Sequence, residues 1–573
     1  MPVHNTDIAA IFNQVADLLE IKGENAFRVR AYRDAARTVG GLSSSAADMV
    51  KKNEDLSRLS GIGKDLAGKI KEIVETGKLP LLEDLKKEVS PALSKLLNIA
   101  GLGPKRVKTL HEKLGITTIS DLKKAAENGK IREISGFGEK TEQSILEGIQ
   151  GVKEEKGRIR LLVAREIAED YRSYLQKVDG VKDVEVAGSY RRHKETVGDL
   201  DILVTCTKGS PVMDRFVKYE DVDTVVSHGD MRSTVILRSG TQVDLRVFSQ
   251  ESYGAAIHYF TGSKAHNIAI RKIGVKKGLK INEYGIFKGK KRIAGKREED
   301  VFVQVGLPFI PPELREGRGE VEAAREGRLP DLITLDHIKG DLHTHTNRTD
   351  GHFSLEEMVK AAKERGYEYM AITEHSKRVT MAHGLDKKAL ATQIKEIDAL
   401  NGRQKAFFIV KGVEVDILED GSLDLPDDIL KELDLTVCSV HYNAKLSRQK
   451  QTKRIIRAMD NPYFTILGHP TGRLIKKRPP YEVDMEKIMQ AAAERGCLLE
   501  LNAHPVRLDL NDIHCKMAKE KGLKIVISTD AHSIRDLDFM AFGVGQARRG
   551  WLEPEDVLNS RSWKQVKRLL RRK

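Results

Sequence analysis

From Asp336 to the C-terminus the chain repeats one arrangement, and no other feature restricts the fold as much. Short apolar runs (EYMAITEH, AFFIVKGVEV, LTVCSVH, FTILGHP, GCLLELN and LKIVISTDAH) alternate with helix-period segments, the pattern of a parallel, barrel-like α/β domain. Polar residues sit at the C-terminal ends of these runs, where barrel active sites are built. They are His343 and His345 in DLHTHT, Asp350 after them, His375, Glu414, His441, His469, Asp530 and His532. His-x-His at strand spacing aims two imidazoles to one side, and imidazole mixed with carboxylate suits Zn²⁺, Mn²⁺ or Fe²⁺. Eleven of the 17 histidines follow Asp336, in the shorter part of the chain, which favours a metal site over scattered surface histidines. Taken singly, any of them reads as a satisfied core group, and that reading is kept for His504 and His514.

At 573 residues the chain is too long for one compact domain. With 40% hydrophobic and 32% charged residues it is globular and not disordered. No run approaches the roughly 18 apolar residues of a membrane span. The N-terminal segment is an amphipathic helix pattern and not a secretory signal. A cytoplasmic, membrane-free, monomeric protein is expected. The four cysteines, Cys206, Cys438, Cys497 and Cys515, form no C-x-x-C pair, which excludes zinc-ribbon and disulfide frameworks. The net charge of +14 is compatible with a nucleic-acid partner and equally with plain solubility. PPELREGRGEVEAAREGRLPDL is polar and punctuated by Pro and Gly, so a linker is expected over 316–335.

A partial repeat stands near the N-terminus at LSGIGKDLAGKI, IAGLGPKRVKTL and ISGFGEKTEQSI. The paired glycines are Gly61 and Gly63, Gly101 and Gly103, and Gly136 and Gly138. Two glycines around one apolar residue allow a tight turn and leave the next helix's amides open to a phosphate oxygen. Such contacts hold a nucleic-acid backbone without reading sequence. Lys64, Lys105 and Arg106 follow the turns. The repeats resemble helix-hairpin-helix motifs, and DNA-backbone binding is expected of them.

In the middle, VEVAGSYRRHKETVGDLDILVTC turns at Gly188 and Ser189 and returns as a strand through Asp199 and Asp201. Two residues apart on a strand, both carboxylates point to one face. Such a pair bridges two Mg²⁺ ions roughly 3.5 to 4 Å apart, one serving a 3′-hydroxyl and the other the departing pyrophosphate. The alternating strand TQVDLRVF supplies Asp244 as a third carboxylate. Gly188 and Ser189 let the backbone approach a triphosphate, and Arg191 or Arg192 neutralises charge that moves during transfer.

Residues 1 to about 315 resemble the family X DNA polymerases, the polymerase beta-like nucleotidyltransferases. The motifs are Gly-Ser, the paired arginines, Gly-Asp-x-Asp, Val-Asp-Leu and YFTGSKAHNIAIR. The resemblance implies that Tyr259 and Phe260 lie under the sugar of the incoming nucleotide and that Gly262 lies near its 3′ side. It implies that Asn267 reaches the base edge, that Arg192 binds triphosphate and that Arg271 makes a minor-groove contact. Lys264 stands where many relatives carry an acidic residue, and Val197 where polymerase beta has a hydroxyl. Lys69 aligns with a lysine that some relatives use for a Schiff base with deoxyribose phosphate. That lyase reading stands beside an ordinary exposed helix lysine.

The C-terminal set resembles the polymerase and histidinol phosphatase (PHP) domain and fills its nine ligand positions. This implies up to three ions (Mn²⁺, Zn²⁺ or Fe²⁺) bridged by Glu414, in metal-assisted phosphoester hydrolysis. Arg473 is a phosphate-clamp candidate or part of a solvated basic face, and WKQVKRLLRRK reads as an exposed amphipathic helix. The expected fold is multidomain: a helical helix-hairpin-helix N-terminal region, an α+β nucleotidyltransferase palm and thumb, and an α/β, distorted TIM-like PHP barrel. The expected division is 1–90 and 91–155 (helical, the second as fingers), 156–250 (palm), 251–315 (thumb), 316–335 (linker) and 336–573 (PHP). The expected function is gap-filling DNA synthesis in base excision repair or end joining. Gapped or primer-template DNA and deoxynucleoside triphosphates are its substrates, with Mg²⁺ or Mn²⁺ at the polymerase site. The PHP domain would act as a 3′-5′ exonuclease, 3′-end processing enzyme or abasic endonuclease. The alternatives are a non-catalytic DNA-bridging scaffold and a small-molecule phosphomonoesterase.

Overall fold

The computed structural model describes residues 3, 5–40, 42, 46–59, 61–89, 93, 96, 97, 99, 102–134, 136–138, 141–143, 145, 146, 158–403 and 406–570. The chain forms two compact units, 1–156 and 157–573. Gly101 lies outside the described residues.

The first unit is helical. In the helix Asn5–Lys22 the apolar residues Ile8, Phe12, Val15 and Leu19 recur at helical spacing, and each is at most 1% exposed. They pack against Tyr32, Ile70, Ile73 and Leu110 of other helices. Burying each such side chain contributes roughly 1.5–3 kcal/mol. Gly63 and Gly103 each stand directly before a helix, Lys64–Thr76 and Pro104–Leu114, and a side chain at either glycine would meet nothing. Gly61 and Gly136 turn the chain at φ of +77° and +89°, a region that only glycine enters without strain.

The second unit begins with a five-stranded sheet in the order Val181–Val186, Asp199–Cys206, Gln242–Val247, Arg232–Leu237, Val222–Ser227. The pairing of Asp199–Cys206 with Gln242–Val247 is parallel and sets Asp201 beside Asp244. Val197, the departure noted in the sequence, is a core residue with no exposed surface. The helices Tyr253–Thr261 and Lys264–Lys276 follow, then a three-stranded antiparallel sheet and the helix Glu299–Val305. These elements close over a buried ion network. Arg191 donates to both carboxylate oxygens of Glu298 at 2.8 Å, and fully buried Arg315 donates to the same Glu298 at 2.5 Å. Glu298→Ala would leave the buried Arg315 without its anion and the half-buried Arg191 with only the more distant Glu185 at 3.6 Å. It should cost about 3 kcal/mol or more, measured as a lowered urea midpoint.

The C-terminal part carries two parallel sheets. One runs Gly340–Asp341, Tyr369–Ile372, Phe408–Lys411; the other runs Glu414–Asp416, Val437–Ser439, Ile466–Leu467, Leu498–Asn502, Ile525–Ser528. Single parallel bridges, Thr344 with Ala531 and His375 with Glu414, tie one sheet to the other, so the expected barrel is an interrupted ring and not one continuous ladder. The C-terminal helix Trp563–Leu570 is only partly exposed: Val566 is fully buried and Trp563 stacks on Phe408 at 4.9 Å.

The stretch expected to be a linker is packed over its first half and exposed over 325–328. Glu320 is 1% exposed; it takes hydrogen bonds from the Gly317 and Arg318 amides and lies 2.8 Å from His266 Nδ1. Arg318 donates to Asp512, and the Ile333 amide to the Leu552 carbonyl. Glu322, Arg325, Glu326 and Arg328 are exposed, as solvation predicts, but other charges of the stretch meet buried or half-buried opposite charges. Glu316 is one of these. Burial alone would raise its carboxyl, yet Arg549, Arg192 and Lys194 outweigh that and bring it down from the ordinary 4.5 to about 2. A depressed carboxyl stabilises the fold above its unfolded value and loses that contribution as pH falls. The urea midpoint should therefore drop between pH 4.5 and 2, and Glu316→Gln should flatten that part of the profile.

Candidate active sites

The palm strands present three carboxylates. Asp201 pairs in register with Asp244, and Asp199 with Gln242, so alternate residues of both strands share one face. Asp244 is 3% exposed and accepts from Thr234 Oγ1 at 2.6 Å, Gln242 Nε2 at 2.7 Å and Arg232 Nη2 at 3.1 Å. Burial would raise its carboxyl, but these bonds hold it below the usual range. Asp201 has no such bonds; burial, then the charges of Asp199 and Asp244, push it up to about 6. Crowded carboxylates of this kind need a cation, and the all-oxygen donor set suits Mg²⁺ or Mn²⁺.

Around them stand the nucleotide residues expected from the sequence. Gly188, at φ +69°, begins the single helical turn Gly188–Arg191 that carries Ser189, and a Cβ there would meet Asp201 Oδ2 at 3.4 Å. Both arginines are engaged: Arg191 donates to Glu298 and to Thr261 Oγ1, and Arg192 donates to Glu316 at 3.0 Å and to the Thr261 carbonyl and lies beside Gly262, whose added Cβ would meet Arg192 Nη1 at 3.3 Å. Tyr259 and Phe260 are half-buried, with the Arg246 guanidinium 4.6 Å from the Phe260 ring centre. Asn267 donates to the Tyr259 carbonyl at 2.7 Å, its Oδ1 has no hydrogen-bond partner, and it lines a small cavity with Tyr259 and Arg271. In the first unit Lys69 pairs with Asp65 and sits 6.0 Å from the Tyr32 ring centre, so it is not a freely exposed helix lysine.

The second centre collects all nine residues expected from the sequence. His345, Asp350, His375 and His532 converge; so do His343, His345 and Asp530, and His375, Glu414 and His441. His345 and His375 are each shared between two groups. His469 joins through Nε2, 3.0 Å from Glu414 Oε1. Glu414 is the hub: Oε1 also lies 3.2 Å from His441 Nε2, and Oε2 lies 2.7 Å from His375 Nδ1 and 3.5 Å from His343 Nε2. Despite these approaches, His343 Nε2, both nitrogens of His345, His375 Nδ1, Asp350 Oδ1 and Glu414 Oε2 are buried without hydrogen-bond geometry. Leaving one buried polar atom unpaired costs roughly 1–3 kcal/mol, so a cluster of them aimed at one space fits bound cations. Burial, then the neighbouring His532 and His375, bring the His345 imidazole down to about 3, whereas at His375 burial is outweighed by the carboxylates Glu414 and Asp350, which push it up to about 10. His504 and His514 belong to none of these groups.

Sequence reasoning missed the layer behind the ligands. Glu500, with no exposed surface, lies 2.7 Å from His343 Nδ1 and accepts the His469 amide at 2.6 Å. Asp416 accepts from the His441 amide at 3.0 Å, and Asn502 donates to Asp530 at 3.1 Å. Such partners fix imidazole orientation and tautomer. The available signal was an acidic residue inside an apolar run, in LLELN and VEVD. Arg473 is neither a phosphate clamp nor solvated: it donates to Glu195 at 2.7 Å and to the carbonyls of Arg507 and Leu508.

Comparison with known proteins agrees with this layout. Family models match in chain order: helix-hairpin-helix domain (3–79), SAM-like helix-hairpin-helix tandem (93–150), DNA polymerase beta palm (163–246), DNA polymerase beta thumb (256–316) and PHP domain (341–504). The DNA polymerase/3′-5′ exonuclease PolX of Bacillus subtilis (strain 168) is 40% identical over 576 residues, covering 100% of both chains. The chain belongs to the family X DNA polymerases that carry a PHP domain. Two further relatives match a smaller share of this family X polymerase. A probable phosphatase of Thermoanaerobacter sp. (strain X514) is 32% identical, over 38% of this chain and 89% of its own. One of Acetivibrio thermocellus is 31% identical, over 38% and 86%. No helix among the described residues of this polymerase is long and apolar enough to cross a membrane.

Proposed function

We propose that this family X polymerase fills short gaps in DNA, in base excision repair or end joining, and that its PHP centre removes nucleotides from 3′ ends. The observation that carries the reading is two separate centres of different donor chemistry on one chain. One is the all-carboxylate face of Asp199, Asp201 and Asp244; the other is the imidazole-rich cluster around Glu414. In the palm the three aspartates would hold Mg²⁺ or Mn²⁺, which supplies charge neutralisation at the 3′-hydroxyl and the departing pyrophosphate. Gly188 and Ser189 admit the triphosphate, Arg192 neutralises it, Tyr259, Phe260 and Gly262 bracket the sugar, and Asn267 and Arg271 face the nascent pair.

In the PHP centre the nine ligands would hold up to three ions (Mn²⁺, Zn²⁺ or Fe²⁺), which supply polarisation of the phosphoester. Glu500 and Asp416 keep His343 and His441 turned toward them. The glycine turns before Lys64–Thr76 and Pro104–Leu114, and the turn at Gly136 and Gly138, would hold the DNA backbone through open amides. Lys69, paired with Asp65 in the first of these helices, is the lyase candidate. The protein is proposed to act as a cytoplasmic monomer.

A second reading of the PHP centre, phosphomonoester removal, is favoured by the two probable phosphatases that are similar to part of this chain. One experiment separates them: a 5′-labelled primer on one-nucleotide-gapped DNA, ending in a 3′-hydroxyl or a 3′-phosphate, with Mg²⁺ or Mn²⁺, with and without the four deoxynucleotides. Extension with nucleotides and stepwise shortening without them are expected. Conversion of the 3′-phosphate without shortening would replace the exonuclease reading by the phosphatase one. Tight binding with neither product would leave a DNA-bridging scaffold.

A further inference from the structure

The turn that carries Ser189 and Arg192 is held from the far end of the chain. The helix Met540–Arg549 lies against it so closely that a Cβ at Gly545 would fall 2.5 Å from His193 Nδ1. At the end of that helix Arg549, whose side chain is 3% exposed, donates through Nη1 to the Arg192 carbonyl at 2.7 Å and to Glu316 Oε1 at 2.9 Å. Its Nη2 donates to Asp512 at 2.6 Å, which anchors it within the C-terminal part of the fold. The same Glu316 oxygen accepts Arg192 Nε at 3.0 Å, and Arg192 Nη1 donates to the Thr261 carbonyl. The guanidinium plane of Arg192 is thus fixed by two bonds, and Arg549 touches both its backbone and its carboxylate partner. Arg473 adds a parallel tie from the same part of the fold to Glu195, three residues on.

We infer that Arg549, acting through Glu316 and the Arg192 carbonyl, is a positioning residue for nucleotide addition, so that the phosphoesterase part of the chain completes the triphosphate site of the polymerase part. The inference rests on the reading of Arg192 as a triphosphate ligand. A guanidinium whose plane is already set loses less freedom when a triphosphate arrives, so the tie acts on nucleotide affinity. Without Arg549, Glu316 keeps Arg192 and Lys194 near it, and the Arg192 carbonyl loses the Arg549 donor. Arg192 is then free to follow the carboxylate away from the nucleotide.

The test is single-nucleotide insertion on gapped DNA, with kcat and the KM for the deoxynucleotide measured separately, and primer shortening without nucleotides as the control. Arg549→Met should raise the nucleotide KM roughly 10-fold, a coupling of ordinary size, while kcat changes less than about threefold and shortening is unchanged. Arg549→Lys, which keeps the charge and loses the fork, should recover part of the effect. In the double variant with Arg192→Ala, the loss of Arg549 should add nothing further. An Arg549→Met enzyme with parental KM, beside an Arg192→Ala enzyme with a raised one, would overturn the coupling alone. An unchanged KM in Arg192→Ala would overturn the triphosphate assignment beneath it. Additive losses in the double variant would reduce Arg549 to a structural tie. If Arg549→Met fails to fold, Glu316→Gln takes its place in the same measurements.

Discussion

Asp201→Asn should abolish nucleotide addition, by on the order of 10³-fold or more, while leaving primer shortening within about twofold of the parent. Asp201 lies between the exposed Asp199 on its own strand and the buried Asp244 on the next, and burial, then these neighbouring charges, destabilise its carboxylate. An amide of the same shape keeps the packing and removes the ligand. The substitution should also stabilise the metal-free protein at pH 7, by about 1 kcal/mol, because it removes one of three crowded negative charges. The sign follows from the raised carboxyl. A group lifted to about 6 binds its proton more readily in the fold than in the unfolded chain, so the metal-free parent gains stability as pH falls through 6. Urea unfolding in the presence of a chelator should therefore show the variant ahead at pH 7 and the difference closing below pH 6. Retained extension by the variant would remove Asp201 from the site.

Glu414→Gln should do the reverse: primer shortening falls by about 10³-fold and nucleotide addition stays within about twofold. One Glu414 oxygen lies near His441 and His469 and the other near His343 and His375, so the carboxylate is the part that joins the groups. The amide keeps its volume but offers one oxygen and no charge. Bound metal, counted by mass spectrometry of the purified protein, should fall, and with it the chelator-sensitive part of the melting temperature, since cations that bind only the fold stabilise it by mass action. Either substitution abolishing both activities in a folded protein would break the assignment of two independent centres.

The two centres differ in how much of each was visible before folding. Asp199 and Asp201 share a face because a strand alternates, which two letters of sequence state completely. Asp244 was named from an alternating strand and the order of motifs; its place beside Asp201 is a matter of register between strands some 40 residues apart. The imidazole set was legible because each ligand ends an apolar run and parallel strands bring their C-terminal ends together. Glu500 and Asp416 were overlooked although each stands within such a run, where a carboxylate without a partner would be costly.

Local pattern thus determined the elements, their periodicities and the chemical character of both centres, since these depend on residues a few positions apart. Tertiary structure decided what long-range pairing alone decides. It paired Arg191 with Glu298, 107 residues away, and Arg192, beside Gly262, with Glu316, 124 residues away. It made Glu316 and Arg318, in the stretch that reads as a linker, ion-pair partners of distant residues, because a charge is solvated or buried according to what faces it, and composition does not record what faces it.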